Sequence, residues 1–295
     1  MVTQTSARQS LLLWLRVNIE HGTLRAGGLE FDYLESGPRR GRLVLLLHGF
    51  PQSSSCWLDA LQALGDAGFH AVAPDQRGYC EGARPDDVAA YRVDVLAGDV
   101  IAIADALGAK RFHLIGHDWG GTVAWTVAAE HATRIRSLVA LSTPHTAALA
   151  RALRGMEQRA RLSYFAVLQL PYVPEALFET AGGIAAEQAL TASGLPRQLA
   201  HRDVDHIRSV GAGGPLNWYR ALRLQRRPST RPVEVPVLYV WGTRDVAFGR
   251  EAAENTEQYV NAAYHFVELE DANHWIPDLY WDDIADLVLA HLRSA

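Results

Sequence analysis

The chain has 295 residues, 48% of them apolar and 21% charged, and 28 basic against 33 acidic side chains give a formal charge of −5. That length suits one or two domains, and the near-average composition excludes collagen-like, low-complexity and largely disordered chains. The mild acidity leaves no electrostatic footprint for nucleic acid, and the longest apolar runs fall far short of the ~20 residues that a membrane-spanning helix needs.

In chain order, Leu11 to Leu15 is a short apolar run between Arg8 and Arg16 with no small-residue cleavage pattern after it, so secretion is not expected. Val17 to Glu35 holds two alternating stretches around Gly27-Gly28, which predicts an antiparallel hairpin at a sheet edge. The apolar run Leu43 to Leu47 predicts a buried strand, closed by His48-Gly49-Phe50-Pro51. Ala71 to Ala73 predicts a second strand before Pro74-Asp75-Gln76-Arg77-Gly78-Tyr79, and Phe112 to Ile115 a third before Gly116-His117-Asp118-Trp119-Gly120-Gly121. Leu138 to Leu141, Val237 to Trp241 and Phe266 to Leu269 predict three more. Leu61 to Ala67, Val93 to Leu107 and Val123 to Ala129 carry helical spacing between them, and a last helix is expected from about Asp282 to Arg293. This alternation predicts an α/β fold, a mostly parallel central sheet flanked by helices.

Residues 143–232 break the rhythm. Helical pieces at Ala147 to Leu153, Gln158 to Leu168, Pro174 to Thr180, Ala185 to Ala192 and Leu216 to Leu224 are punctuated by Pro and Gly, with no convincing strand. The organisation expected is a core of residues 1–142 and 233–295 with an all-helical cap, residues 143–232, inserted in it. Two cysteines, Cys56 and Cys80, are too few for a disulfide framework; buried free thiols and a cytoplasmic location are expected.

The string Gly116-X-Asp118-X-Gly120-Gly121, between a strand and a helix, has the layout of a nucleophile elbow, a strained turn with small neighbours. Its usual occupant is serine. An aspartate there implies different chemistry, because a carboxylate that displaces a group at saturated carbon forms an ester that water can cleave, whereas a serine would form a stable ether. Any loop aspartate satisfies such a string by chance. His274, past the last predicted strand, and Asp245, past the strand before it, stand in the chain order of a triad base and its orienting acid. Taken singly they read as a core or cap histidine and a turn aspartate. Backbone N–H groups of Phe50 and Trp119 are the candidates for an oxyanion hole.

With these residues the sequence resembles the α/β-hydrolase superfamily, and within it the epoxide hydrolases, over roughly residues 28–292. His48-Gly49-Phe50-Pro51, Asp75-Gln76-Arg77-Gly78-Tyr79 and Gly116 to Gly121 look like core motifs of that family. The segment Leu216-Asn217-Trp218-Tyr219-Arg220 resembles the one carrying an oxirane-binding tyrosine, which places that role on Tyr219. Ser163-Tyr164-Phe165 followed by Gln169-Leu170-Pro171 resembles the segment carrying the other, which places it on Tyr164. Without the resemblance both would read as aromatics packed on a cap helix. Their chemistry fits: opening an epoxide makes an alkoxide, and a phenol of pKa near 10 can bind and protonate it.

The resemblance implies hydrolysis of an epoxide to a vicinal diol through a hydroxyalkyl ester on Asp118, with a small-molecule epoxide and water as partners and no cofactor or metal. Cys80 stands where the family often has Gly or Ser. A haloalkane or haloacid dehalogenase would share the Asp–His–Asp machinery. However, the halide-holding Asn of haloalkane dehalogenases is here Phe50, and the Arg that follows the nucleophile in fluoroacetate dehalogenases is here Trp119. An esterase would form an anhydride on Asp118, and a ligand receptor would not need a triad. No metal set is expected from His113 and His117, on a strand, or from His201 and His206. Gly211 to Gly214 lacks the Lys-Ser/Thr of a phosphate loop, and Arg39-Arg40 and Arg226-Arg227 read as solvated loop charges.

Overall fold

The computed structural model describes residues 19–225 and 231–295. The run Leu11 to Leu15, Val17 and the pair Arg226-Arg227 lie outside the described residues.

Eight strands form one sheet in the order β1-β2-β4-β3-β5-β6-β7-β8. β1 (Ile19–Ala26) and β2 (Leu29–Ser36) are the expected hairpin: they pair antiparallel at one edge, and β2 continues antiparallel onto β4 (His70–Pro74). From there β3 (Leu43–Leu47), β5 (Phe112–His117), β6 (Ile135–Leu141), β7 (Val237–Gly242) and β8 (Tyr264–Leu269) run parallel. The central strands read as unbroken apolar runs because both faces of the sheet are covered. Leu45, Leu47, Leu114 and Ala140 face the helices Val93–Ala106 and Trp119–Glu130. Val44, Leu46, Ile115 and Val139 face Leu58–Asp66 and Trp281–Ser294.

The predicted strands all form. The helix expected over Val123 to Ala129 starts earlier, at Trp119, directly after the elbow. Between β6 and β7 the regular elements among the described residues are all helical. Three details differ from the sequence reading. The helix expected over Gln158 to Leu168 is two, Met156–Arg161 and Phe165–Leu168, broken by successive three-residue turns at Leu162, Ser163 and Tyr164. The break lets Leu162 pack on Ala247 and Phe248 while Phe165 packs against Trp119 and Tyr219. The helix Arg197–Val210, with no counterpart in the sequence reading, is also present; its buried face is only Ala200, Asp203, Val204 and Ile207 in an otherwise polar segment. Likewise Leu216 to Leu224 is a helix Gly213–Arg220 followed by a 3₁₀ turn.

Gly213 and Gly214 are the first residues of that helix, and Gly214 touches the backbone of Gly78. Arg39 is exposed yet ion-paired with Glu35 and Glu20. Cys56 and Cys80 are buried free thiols. Among the described residues, no helix is long and apolar enough to cross a membrane, and no group of three or more His, Cys, Asp or Glu side chains is placed to hold a metal ion.

Candidate active site

The parallel strands end on one edge of the sheet, and the loops that follow them converge there. Asp118 is the residue between β5 and the helix Trp119–Glu130 and has φ 51° and ψ −120°. A non-glycine residue held there costs about 1–3 kcal/mol and persists only where its surroundings over-determine it. They do so at two glycines. A Cβ on Gly120 would lie 2.1 Å from the Leu47 carbonyl oxygen, and one on Gly49 would lie 2.3 Å from the Asp118 Cβ. Neither position accepts a side chain without moving backbone.

The Phe50 N–H, before a cis Phe50–Pro51 bond, donates to Asp118 Oδ1 at 2.9 Å. Trp119 opens the helix, where the first N–H groups have no partner within the helix. The loop after β8 brings His274 Nε2 to 3.6 Å from Asp118 Oδ2. On its other side, His274 Nδ1 is 2.9 Å from Asp245 Oδ2, which makes that nitrogen the donor to a carboxylate. Asp245 follows β7, and its Oδ1 accepts from the N–H groups of Ala247 and Phe248 at 2.7 and 2.9 Å. All three side chains are buried.

Burial alone would raise the Asp118 pKa, but His274 beside it and the Phe50 N–H hold the carboxyl below its ordinary value. Burial would likewise depress His274, yet the two flanking carboxylates outweigh it and raise its pKa. His274 thus lies between two carboxylates that favour its protonated form. Loss of the charge on Asp118, as in an ester, removes one of the two groups that stabilise the imidazolium and moves His274 toward a working base.

The structure packs Tyr219 against Phe50 and Trp119, and Tyr164 against Phe165, beside this group. Tyr219, on the helix Gly213–Arg220, is 1% exposed, with its ring centre 5.1 Å from that of Phe50 and 5.3 Å from that of Trp119. Tyr164 is 40% exposed, packs edge-on against Phe165, and feels the charges of Asp118 and Asp245. Burial, reinforced for Tyr219 by Tyr164 and for both by Asp118, pushes both phenols well above their ordinary pKa, so they stay protonated donors. Phe165 ties the set together, with ring centres 4.9 Å from both Tyr164 and Tyr219 and 6.2 Å from Trp119. A cavity of about 460 Å³ opens on Asp118 and Trp119, walled by Leu149, Leu153, Phe165 and Phe248 and lined on one side by Thr122 and Thr126. Its size and apolar walls suit a small organic molecule. A larger open groove of about 750 Å³ beside β1 and β2 touches none of these residues.

Sequence reasoning missed the ties that hold the helical segment between β6 and β7 onto the site. Arg161 donates to the Asp245 backbone oxygen at 2.6 Å, and Gln158 bridges Ala247 and Gly249. Arg202 makes a bidentate pair with Asp278 at 2.8 Å, and Asp278 also accepts from Gln52, two residues past Phe50. Their partners are up to 226 positions away, so no local pattern announces them. His113 instead meets Ser137, His201 pairs with Glu187 and Asp205, and His206 bonds the Tyr79 carbonyl.

The family described as alpha/beta hydrolase fold matches residues 42–279, and the chain belongs to it. The AB hydrolase superfamily protein YfhM of Bacillus subtilis is 32% identical over 280 residues, covering 92% of this chain and 97% of that protein. Epoxide hydrolase 4 of Mus musculus is 32% identical over 282 residues, covering 92% of this chain and 78% of its own. The crystal structure of Epoxide Hydrolase A from Mycobacterium thermoresistibile superposes with a TM-score of 0.81 at 25% identity, over 93% of this chain and 98% of that one. Within the α/β-hydrolase fold family, the chain belongs with the epoxide hydrolases.

Proposed function

We propose that this protein adds water to an epoxide in two steps, with Asp118 as the nucleophile. In the first, an Asp118 oxygen attacks an epoxide carbon from behind and the carbon–oxygen bond of the ring breaks. Tyr164 and Tyr219 hold the leaving oxygen, and one of them gives it a proton. The product is a hydroxyalkyl ester on Asp118. In the second, His274, oriented by Asp245, takes a proton from water, whose oxygen adds to the ester carbonyl. The N–H groups of Phe50 and Trp119 receive the oxyanion; on collapse His274 passes its proton to the departing diol oxygen, and the proton left on the Asp118 carboxyl returns to the phenolate, so a vicinal diol is released and carboxylate and phenol are restored. The observation that carries this reading is a buried carboxylate, not a hydroxyl, at the tip of the elbow, close enough to two phenols for its charge to act on both.

On this reading residues 143–232 are the cap that supplies the phenols and residues 1–142 and 233–295 the core that supplies the triad, working in the cytoplasm on a small neutral epoxide. The test is a single turnover in ¹⁸O-water with enzyme in excess. The first diol should carry no label and Asp118 should acquire it, because the oxygen transferred to product comes from the carboxylate. Label in the first-turnover diol would mean direct attack of water on the ring and would remove the covalent step.

The phenols should share the load. Tyr219→Phe or Tyr164→Phe alone is expected to lower kcat by roughly 10- to 100-fold and the double variant by roughly 10³-fold or more, since one phenol still protonates the oxygen when its partner is gone. Near-native kcat in the double variant would remove both from the reaction.

A further inference from the structure

The backbone carbonyl of His274 is the acceptor for donors from two other strands. His117, the last residue of β5, places Nε2 2.8 Å from it, and Ser142, the first residue after β6, donates its hydroxyl at 2.8 Å. The Ile276 N–H closes a tight turn onto the same oxygen at 3.0 Å. A carbonyl only accepts, so the His117 proton sits on Nε2. His117 Nδ1 is then a buried lone pair without a protein partner, an uncommon arrangement for an interior nitrogen. Ser142 is equally constrained: it is buried, has φ 62°, and its own carbonyl accepts from the Tyr239 hydroxyl at 3.1 Å.

Both donors are next to the chemistry in space. The His117 ring lies 4.8 Å from the His274 ring, centre to centre, and precedes the nucleophile directly. Burial, together with the neighbouring His274, keeps His117 neutral, with a pKa lowered to about 4. No second cation therefore stands beside the imidazolium. The loop between β8 and the short helix Ile276–Leu279 has no regular backbone ladder of its own; the Arg244 N–H holds it at the Ala272 carbonyl at 2.9 Å, and side-chain donors share in placing it at His274.

We infer that His117 and Ser142 are positioning residues, a two-point clamp on the His274 carbonyl that sets the reach of the base for the ester-hydrolysis step. The inference rests on the two-step reading above. Alkylation of Asp118 needs the carboxylate and the phenols; hydrolysis alone needs His274 aimed at a water. Loosening the clamp therefore acts on one step more than the other, since a misplacement near 1 Å is enough to cost a large factor in rate.

The experiment mixes each variant with styrene oxide, resolves alkylation and hydrolysis by rapid quench, and reads the esterified fraction by intact-protein mass spectrometry. Ser142→Ala and His117→Leu should each slow hydrolysis by roughly tenfold while alkylation stays within about threefold, so that ester accumulates. His117→Gln, which restores an N–H donor of similar reach, should recover most of the hydrolysis rate. Ser142→Ala removes a single oxygen and opens no cavity, so the test stands even if His117→Leu folds poorly. Equal slowing of both steps, or an unchanged partition in both variants, overturns the clamp. A wild-type protein that forms no ester with styrene oxide or an aliphatic epoxide overturns the two-step reading, and the clamp with it.

Discussion

Replacement of His274 by alanine is expected to turn the protein into a trap that reacts once with its epoxide and stops. Asp118 would lose the help of His274 in staying ionised but keep the Phe50 N–H and both nearby phenols, so the ring-opening step keeps most of its parts. The hydrolytic step loses its base and should slow by about 10³- to 10⁴-fold. Intact-protein mass spectrometry should then show an adduct equal to the whole epoxide mass, mapping to Asp118. An adduct equal to a haloalkane minus hydrogen halide, with no epoxide adduct, would instead assign displacement of halide. Asp118→Ala should give neither adduct nor diol, and measurable diol from that variant would remove Asp118 from the nucleophile role.

A second large effect is expected in acid. His48, His113, His117 and His145 are buried, and burial lowers their pKa values to about 3, 3, 4 and 4. In the unfolded chain each takes up a proton near pH 6.5, whereas in the folded chain they remain neutral. The unfolded state then binds more protons, and stability falls as the pH drops below 6.5. Between pH 7 and pH 5 this amounts to about 2 kcal/mol for each histidine.

Asp203, raised to about 7 by burial, has the opposite sign and returns about 2 kcal/mol over the same interval. Asp75 and Asp99, also raised by burial, act with Asp203, and His291, lowered by burial, acts with the other histidines, so a net loss on the order of a few kcal/mol is expected. His274 shapes the other limb. With its folded pKa raised to about 10, its stabilisation is complete below pH 6.5 and is lost as the pH rises toward 10. Urea midpoints measured from pH 5 to pH 10 should therefore peak near neutrality with a steep acid side. His113→Gln should make that side shallower by about a third. An acid limb with the slope of one proton or less would overturn the assignment.

The parts of this molecule that were legible in the sequence are those whose cause is local. The central strands announce themselves because both faces are covered, so Leu43 to Leu47 and Phe112 to Ile115 are apolar without alternation. Asp118, Asp245 and His274 are legible because each lies in the loop that follows a parallel strand and so reaches the same edge of the sheet. Tyr164 and Tyr219 needed a family resemblance, since nothing in their spacing separates them from ordinary packed aromatics.

What stayed hidden has a distant cause. Arg197–Val210 carries only four buried residues on an otherwise polar surface, and its Arg202 makes sense only once Asp278 is known to lie beside it. The break before Phe165 is set by what Phe165 packs against, not by a proline or glycine. His117 and Ser142 flank visible motifs, but the carbonyl they share belongs to residue 274.

The strand order has a consequence for assembly. The nucleophile stands on β5, in the middle of the sheet, and its base follows β8, the outermost parallel strand. A chain that has joined β3, β4, β5 and β6 already holds the strained carboxylate but no histidine to finish a reaction. Only the last lateral pairing, of β8 on β7, completes the circuit. Turnover is therefore a stricter gauge of a fully assembled molecule than helix or strand content, because the hydrolytic half of the cycle needs that edge pairing and most of the secondary structure does not.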